Sequence, residues 1–187
     1  MDRSRCDWCL GAEIMTRYHD TEWGVPVHDD RKHFEFMVLD SLQAGLSWLI
    51  VLKKREAYRA ALDGFNPERV AAYTEADYER IMANPALIRN RAKTRATMAN
   101  ARAFLRVQER FGSFDRYIWR FVDGRTVRNA HASPDAIPTR SPISDAMSKD
   151  LKQRGFAFVG TTICYAYMQA AGLVNDHLVT CFRYDEV

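Results

Sequence analysis

Apolar residues recur at helical spacing along most of the chain, and the period-2 alternation typical of half-buried strands is absent. In the stretch DDRKHFEFMVLDSLQAG, the side chains of Phe34, Met37 and Val38 share one face of a helix after an acidic first turn. Gly45 at the end of this stretch is a typical C-terminal stop. Six further helices are predicted at residues 47–62, 74–83, 89–112, 113–124, 144–155 and 161–172. The pattern therefore predicts an all-α protein, with Ser47 and Thr74 as N-caps.

The composition is that of an ordinary globular domain. Of 187 residues, 47% are hydrophobic and 27% are charged, and no repeat, low-complexity tract or linker divides the chain. We therefore expect a single domain over residues 1–187. The N-terminus lacks a secretory signal, and the longest apolar run, LSWLIVL, is too short to span a bilayer. We expect a cytoplasmic protein with no membrane partner.

Cysteine and histidine residues near both ends of the chain are candidates for a metal site. In a reducing compartment, the four cysteines are expected to be buried thiols or metal ligands rather than disulfides. His177 and Cys181 in HLVTC are four residues apart, which places them on one face if the segment is helical. Spacing alone favours Cys6 with Cys9 as the other half, because CDWC is a zinc-binding knuckle. The remaining candidates near the N-terminus are His19, His28 and His33. A chance pairing is the alternative.

Aromatic residues are dense in the first fifty positions, where a carboxylate and an amide also lie one helical turn apart. Such a group suits a box in which a flat ring stacks between aromatic faces. For any one tryptophan, packing in the core is the simpler explanation. We expect HDTE, between Tyr18 and Trp23, to be a loop that opens onto a cleft. The residues of this pocket cluster are Trp8, Tyr18, Trp23, Asp40, Gln43 and Trp48.

Three long stretches carry a family resemblance. YHDTEWGVPVHDD, LDSLQAGLSWLIVLKKRE and RGFAFVGTTICYAYMQAAGLVNDH closely resemble, in order along almost the whole chain, the DNA-3-methyladenine glycosylase I family of bacterial alkyl-base repair enzymes. The resemblance implies an all-α fold of the helix-hairpin-helix glycosylase type, with two helical lobes around a base-binding cleft. It also implies one structural Zn²⁺ per chain that joins the N- and C-terminal segments. The implied zinc ligands are Cys6, His19, His177 and Cys181, so His19 takes the place of Cys9.

The resemblance further implies a monofunctional glycosylase, acting as a monomer, that flips 3-methyladenine out of double-stranded DNA and hydrolyses its N-glycosidic bond. The pocket cluster is the implied base site. Because 3-methyladenine in DNA is cationic, indole faces and a buried carboxylate would favour it over adenine. Asp40 stands where the family has glutamate, and aspartate reaches roughly 1.5 Å less far. Asp40 could reach the base through a helix shift or a water, or specificity could be relaxed.

Positive charge is concentrated between residues 89 and 110. This segment carries seven lysines and arginines against one glutamate, a local charge of +6 on a chain whose total is +3. NPALIRNRAKTRA fits a helix, a tight hairpin and a second helix whose N-terminal amides could meet a DNA phosphate, although Gly-x-Gly is missing. A solvated cationic helix is the alternative. The predicted DNA contacts are Lys53, Arg89, Arg91 and Lys93, with Leu46 as an apolar wedge that fills the gap left by a flipped base.

Two other functions compete with the glycosylase. The first is a zinc-stabilised nucleic-acid binder that has lost catalysis, which the aspartate at position 40 would permit. The second is a thiol redox protein built on Cys6 and Cys9, but the absence of a βαβ pattern argues against it. No particular lysine stands out as a Schiff-base nucleophile, so strand cleavage is not expected.

Overall fold

Nine α-helices form the frame of residues 4–187, the part of the chain described by a computed structural model. In chain order they are α1 (Glu13–Thr21), α2 (Asp30–Gln43), α3 (Trp48–Ala61), α4 (Pro67–Ala71), α5 (Glu75–Ala83), α6 (Arg91–Phe111), α7 (Phe114–Ile118), α8 (Pro142–Gln153) and α9 (Thr161–Ala170). Two short strands, β1 (Val127–Arg128) and β2 (Val174–Asn175), pair in parallel. Short 3₁₀ turns cover Asp7–Cys9, Trp119–Val122 and Pro134–Ala136. The predicted helical class is confirmed, apart from this two-residue strand pair.

Side-chain caps fix the starts of several helices. Asp29 and Ser47 accept hydrogen bonds from backbone N–H groups in the first turns of α2 and α3. Asn90 does the same for α6, and Thr74 opens α5 with a capping box. Gly112 ends α6 at a φ of 85°, a left-handed conformation that costs glycine little. The N-caps predicted at Ser47 and Thr74 are therefore confirmed.

The prediction missed α1 and α4 and misassigned one loop. HDTE is not a loop, because His19–Thr21 is the last turn of α1 and Glu22 is its C-cap. The reason is that α1 begins after Ala12 without a side-chain cap, so the usual signal for a helix start is absent. The predicted helix at residues 113–124 is divided between α7 and the 3₁₀ turn that follows it.

The central element is α2, which contacts α3, α6, α7 and α9. Its residues are buried continuously from His33 to Leu42, so it lacks a solvent face over that length. A single hydrophobic core includes residues from Cys6 to Cys181, which brings the two ends of the described chain together. The division into two lobes stays a prediction. Within residues 4–187, no helix combines the length and apolarity that crossing a bilayer requires.

A partly buried ion-pair network holds α1, α2 and α3 in register. Arg55 of α3 donates to Glu35 of α2 over 2.8 Å and to both carboxylate oxygens of Glu22 over 2.7 Å. Burial acts to raise the pKa of Glu22, but hydrogen bonds from Arg55 and Lys32 outweigh it and lower this pKa to about 2. These three helices supply most of the pocket cluster, so the network fixes the relative positions of its members.

Candidate active site and metal centre

A cavity of about 430 Å³ opens between the helices of the N-terminal half and α9. This volume lies within the range of about 300–1,000 Å³ that is usual for small-molecule sites. All six residues of the pocket cluster line it: Trp8, Tyr18, Trp23, Asp40, Gln43 and Trp48. The structure therefore brings together the residues that sequence and resemblance grouped into one pocket.

The aromatic rings of the cavity are tilted against one another. Trp8 and Trp23 meet edge to face, with centroids 5.0 Å apart and planes at 73°. Tyr18 and Trp48 lie 5.2 Å apart at 55°. Tyr18 and Trp23 are buried, whereas Trp8 is 37% exposed. Because these rings do not stack on each other, their faces can pack against a flat ligand, with Trp8 at the rim.

Two polar atoms of the cavity residues are buried without a hydrogen-bond partner among residues 4–187. One is Oδ2 of Asp40, an acceptor, and the other is Nε1 of Trp48, a donor. Asp40 lies in the last turns of α2 and is 2% exposed, and burial raises the pKa of its carboxyl group well above the usual range. An unpaired buried carboxyl group costs free energy, which is typical of a functional site rather than of a structural one.

The residues that form the opposite wall of the cavity were not predicted from the sequence. This wall consists of α9 and the segment around residues 134–139, and its members include Thr162, Tyr165, Gln169, Ile137, Pro138 and Thr139. Tyr165 and Gln169 each donate to Oδ2 of the buried Asp176 over 2.8 Å. Polar residues within the otherwise apolar helix TTICYAYMQA were a usable signal for α9. The 134–139 segment offers no comparable signal, because only the tertiary fold places it there.

Four buried side chains from the two ends of the chain meet beside this cavity. They are Cys6, His19, His177 and Cys181, and one ligand atom from each lies within 4.8 Å of the others. Sγ of Cys181 lies 3.4 Å from Nε2 of His19 and 3.6 Å from Nδ1 of His177. Sγ of Cys6 lies 3.8 Å from the same His177 nitrogen. A tetrahedral zinc with two sulfur and two nitrogen ligands requires separations of about 3.3–3.8 Å, so the group could hold a metal.

A hydrogen bond at the other ring nitrogen of each histidine orients both imidazoles toward the centre of this group. Nδ1 of His19 lies 2.8 Å from the carboxylate of Asp20, which leaves Nε2 for a metal. Nε2 of His177 lies 3.0 Å from the carbonyl oxygen of Trp23, which leaves Nδ1 for a metal. Burial lowers the pKa of His177 to about 4, so its imidazole is neutral as a ligand must be. Burial also raises the pKa of Cys6 to about 12, so a metal would have to displace that proton.

The segment HLVTC is not helical, although the sequence spacing allowed a helix there. His177 lies in an irregular segment after β2, and Cys181 follows the next turn, where its N–H donates to the carbonyl of Leu178 over 2.8 Å. The turn still brings the two side chains to the same point. Cys9 is buried but lies outside the four-residue group. The pairing of Cys6 with Cys9 that spacing alone favoured is therefore not the one that the structure assembles.

The metal-ligand group and the cavity share a wall. The ring centroid of Trp23 lies 4.6 Å from that of His177, and the ring of Trp8 lies 5.5 Å from that of His19. Gly24 has a φ of +79°, and a Cβ atom there would lie 3.0 Å from Nε2 of His177. The absence of a side chain at Gly24 thus allows the chain to pass closely over the imidazole.

The predicted DNA contacts fall into two groups. Lys53, Arg89 and Arg91 are exposed, and none of them forms an ion pair within the described part of the chain. Leu46 is half-buried and follows the exposed Gly45 in the turn between α2 and α3. Their exposure is compatible with a surface that meets DNA, and their role stays a prediction.

For Lys93 the structure does not support a phosphate contact. Its side chain is buried, and Nζ donates to the carbonyl oxygens of Leu42 over 2.7 Å and of Ala44 over 2.6 Å. These carbonyls lie at the C-terminal end of α2, where they lack helical partners and attract a positive charge. Lys93 therefore caps α2 and supports the turn that precedes α3. Its amine is not available at the surface.

The fold and the site together define a class of protein: a helical protein with an aromatic cavity that contains one buried carboxyl group and could hold a flat ring. A sequence model described as methyladenine glycosylase matches residues 8–184. DNA-3-methyladenine glycosylase 1 of Escherichia coli (strain K12) is 48% identical over 180 residues, which is 96% of either chain. DNA-3-methyladenine glycosylase of Haemophilus influenzae is 46% identical over 178 residues, 95% of this chain and 96% of that protein.

Solved structures agree with this match. A crystal structure of 3-methyladenine DNA glycosylase I superposes with a TM-score of 0.93 at 53% identity and covers 96% of this chain and 98% of its own. The Staphylococcus aureus enzyme, solved to explain 3-methyladenine recognition, gives 0.92 at 35% identity with 95% of both chains covered. The chain belongs to the methyladenine glycosylase family. It is thus an enzyme of the DNA-3-methyladenine glycosylase I type, a hydrolase of N-glycosyl bonds.

Proposed function

We propose that this enzyme removes 3-methyladenine from alkylated double-stranded DNA, as a monofunctional glycosylase that leaves an abasic site and does not cleave the strand. Family membership supports the reaction class and the lesion. The observation that carries the proposal for this chain is the buried, unpaired carboxyl group of Asp40 in an aromatic cavity. A cationic base is the ligand that such a site favours, because it supplies the missing positive charge.

The lesion base is flipped out of the duplex into the cavity. A base inside the helix cannot reach a buried carboxylate, so it must leave the stack first. Tyr18, Trp48 and Trp23 then contact the faces and edges of the ring. The positive charge of the ring favours the ionised form of the Asp40 carboxyl group. This carboxylate and the free N–H of Trp48 meet the polar groups of the ring. The normal adenine ring is neutral and lacks the attraction to Asp40. Selectivity follows from charge more than from shape.

The hydrolytic step needs little acid catalysis. A water molecule attacks C1′ of the lesion nucleotide, and the bond from C1′ to the base breaks with its electron pair going to the base. The cationic base becomes neutral as it leaves, and the attacking water loses a proton to solvent. Because the leaving group is already activated, positioning and electrostatic stabilisation supply most of the rate enhancement.

The four-residue group of Cys6, His19, His177 and Cys181 is proposed to bind one structural Zn²⁺. A closed set of two thiolates and two imidazoles leaves no position for water, so the metal would act as a cross-link. The residues themselves tie the segment before α1 to the turn after β2. By doing so they hold Trp8 and Trp23 against the cavity.

Arg91→Ala is expected to weaken DNA binding by a similar factor for lesion-bearing and undamaged duplexes. Arg91 is exposed at the first turn of α6 and would contact a phosphate, which carries no base information. Titrations over a range of salt concentrations should show a slope of log Kd against log salt that is smaller by about 1. Arg95→Ala is the matched control, because Arg95 is already paired with Glu75. An unchanged slope in the Arg91 variant would remove this residue from the DNA surface.

The direct test of the proposed function is base release. The enzyme is incubated with methylated duplex DNA, and the released bases are identified by chromatography and mass spectrometry. We expect free 3-methyladenine and intact strands with abasic sites. Strand cleavage in the absence of added alkali would contradict the monofunctional assignment. Binding to the lesion duplex without any base release would instead support a nucleic-acid binder that has lost catalysis.

A further inference from the structure

The basic residues of α6 do not form one continuous surface for DNA. Lys93 is buried beneath the end of α2, and Arg95 is already in an ion pair. Arg102 donates to two backbone carbonyl groups outside α6. These three side chains serve the fold. Arg106 and Arg110, near the C-terminal end of α6, are exposed and form no ion pair within residues 4–187, so their charge is not explained by the fold.

A cavity of about 390 Å³ lies between the C-terminal parts of α6 and α8. Arg106 and Arg110 line it together with Arg154, which directly follows α8, and Asp150 is the acidic residue of its wall. It has no lining residue in common with the aromatic cavity. Arg91, at the start of α6, lies about 22 Å from Arg106 along the helix axis, at 1.5 Å per residue. The cavity is therefore separate from the predicted DNA contacts.

Contacts with the protein hold two of these guanidinium groups in place. Nη2 of Arg106 donates to the backbone carbonyl of Arg154 over 3.1 Å. Gly155 has a φ of +89°, and a Cβ atom there would lie 3.1 Å from the same nitrogen, so the glycine leaves room for this contact. Nε and Nη2 of Arg154 donate to the two carboxylate oxygens of Asp150 over 2.6 and 3.2 Å. Part of the conformational entropy that an arginine loses on binding a ligand is therefore already lost in the folded protein.

Three guanidinium groups lie around the ring of Phe111, the last residue of α6. The distances from Cζ to the ring centroid are 4.8 Å for Arg154, 5.1 Å for Arg120 and 5.6 Å for Arg110. Each contact between a cation and the ring is favourable, but like charges at such short range repel one another. An anion bound among these groups would offset that repulsion.

Asp150 neutralises only part of the positive charge. Burial acts to raise its pKa, but hydrogen bonds from Arg154 and Tyr117 outweigh it and lower this pKa, so the carboxyl group is ionised. Its Oδ2 accepts from the Tyr117 hydroxyl over 2.6 Å. Three arginines against one aspartate leave a net charge of +2 in the wall of the cavity. A phosphate monoester group carries about −1.5 to −2 charges at pH 7, which matches this value.

We infer that this cavity, the phosphate pocket, binds a phosphate dianion, either the free ion or the terminal group of a small organic molecule. The guanidinium groups of Arg106, Arg110 and Arg154 hold it, because the forked N–H donors of arginine match pairs of phosphate oxygens. A phosphodiester in a DNA strand carries only one negative charge, so the net charge of +2 favours a terminal phosphate group over the DNA backbone. This binding site goes beyond the proposed function, since none of its residues lines the aromatic cavity.

The test is a titration of the enzyme with inorganic phosphate and with glycerol 2-phosphate, followed by phosphorus NMR at constant ionic strength. We expect the wild type to bind at one saturable site per chain, with a Kd of about 1 mM or lower, and the tighter ligand shows which source the pocket prefers. Arg106→Ala and Arg110→Ala should each weaken binding about tenfold or more, because each removes one charge and one fork. Arg106→Lys should restore only part of the affinity, since lysine keeps the charge without the fork. Release of 3-methyladenine should be unchanged in all three variants.

Arg91→Ala is the matched control, because Arg91 is also an exposed arginine of α6 without an ion pair in the described part of the chain. It should bind phosphate as the wild type does. Absence of saturation in the wild type, or equal weakening in the Arg91 and Arg106 variants, would overturn the inference. A third outcome would assign the cavity to the DNA backbone and also overturn it: Arg106→Ala weakens binding of undamaged duplex DNA and leaves phosphate binding unchanged.

Discussion

Asp40→Asn is expected to release 3-methyladenine about 100-fold more slowly than the wild type. The substitution keeps the size of the side chain and removes the charge that faces a cationic base. A hydrogen bond to a charged group is worth about 1.5–3 kcal/mol, and about 2.7 kcal/mol corresponds to a factor of 100 in rate. Single-turnover release from a duplex with one lesion measures this loss. The ratio of affinities for lesion and undamaged duplexes should fall in parallel.

Asp40→Glu separates charge from reach. It keeps the carboxylate and extends it by about 1.5 Å toward the cavity. We expect this variant to be at least tenfold faster than Asp40→Asn. Equal rates for the wild type and the asparagine variant would show that the charge of Asp40 takes no part in the reaction.

Asp40→Asn should be more stable than the wild type at alkaline pH. Burial raises the folded-state pKa of Asp40 above that of an unfolded aspartate, about 3.9. The folded protein therefore keeps this proton to higher pH than the unfolded chain does, and the free energy of unfolding falls as pH rises between the two pKa values. Asparagine cannot ionise. Asp40→Asn is thus expected to melt at a higher temperature than the wild type at pH 8, with no advantage at pH 4.

Opposite signs of these two effects, if measured, would identify Asp40 as a functional residue. Replacement of a side chain that only stabilises the fold would lower both the activity and the melting temperature. Asp40 has an unpaired buried oxygen, which the fold tolerates at a cost. Such a cost is expected at sites where binding energy is later obtained from a ligand.

The helices around the cavity could be predicted because each carries local signals. Ser47 and Thr74 cap their helices through contacts within four residues, which a sequence pattern contains. The aromatic residues of the pocket cluster could be grouped because they lie close in sequence and match a known family. Resemblance also selected His19 over Cys9 among the metal-ligand candidates. Spacing alone favours Cys9, because sequence spacing does not contain the contact between His19 and Cys181, which lie 162 residues apart.

The failures have the opposite cause. Lys93 is part of a basic run, and only the fold reveals that its amine lies under the C-terminal end of α2. The hydrogen bonds that link Tyr167, His33 and Asp115 join α9, α2 and α7, and they were not predicted from the sequence because no local pattern contains them. The wall formed by residues 134–139 likewise depends on a tertiary contact. Sequence patterns report nearest neighbours well, whereas long-range partners of polar groups require the structure.

The metal-ligand group and the base pocket form one structural unit. His19 and Tyr18 are adjacent on α1, and the carbonyl of Trp23 accepts from His177. Asp176, next to His177, orients Tyr165 and Gln169 on the opposite wall of the cavity. Loss of a contact within the four-residue group would therefore displace both walls of the cavity. A metal bound by the four-residue group, as proposed, would therefore support both walls of the cavity without contacting the substrate.

Cys181→Ser is expected to lose the bound Zn²⁺ and to lower the melting temperature by about 10 °C. A hydroxyl group is a poor substitute for a thiolate ligand, and loss of a structural metal belongs to the substitutions with the largest effects. About 3 kcal/mol produces a shift of this size in a domain of 150–250 residues. Elemental analysis of purified protein gives the zinc content, and calorimetry gives the melting temperature. Base release at low temperature should fall less than in Asp40→Asn.

Cys9→Ser is the matched control for this prediction. Cys9 is also a buried thiol near the N-terminus, but its sulfur lies outside the four-residue group. Its variant should keep one zinc per chain. A Cys181 variant with full zinc content and unchanged melting temperature would contradict the assignment. Loss of zinc from the Cys9 variant alone would show that the CDWC pair, and not His19, completes the site.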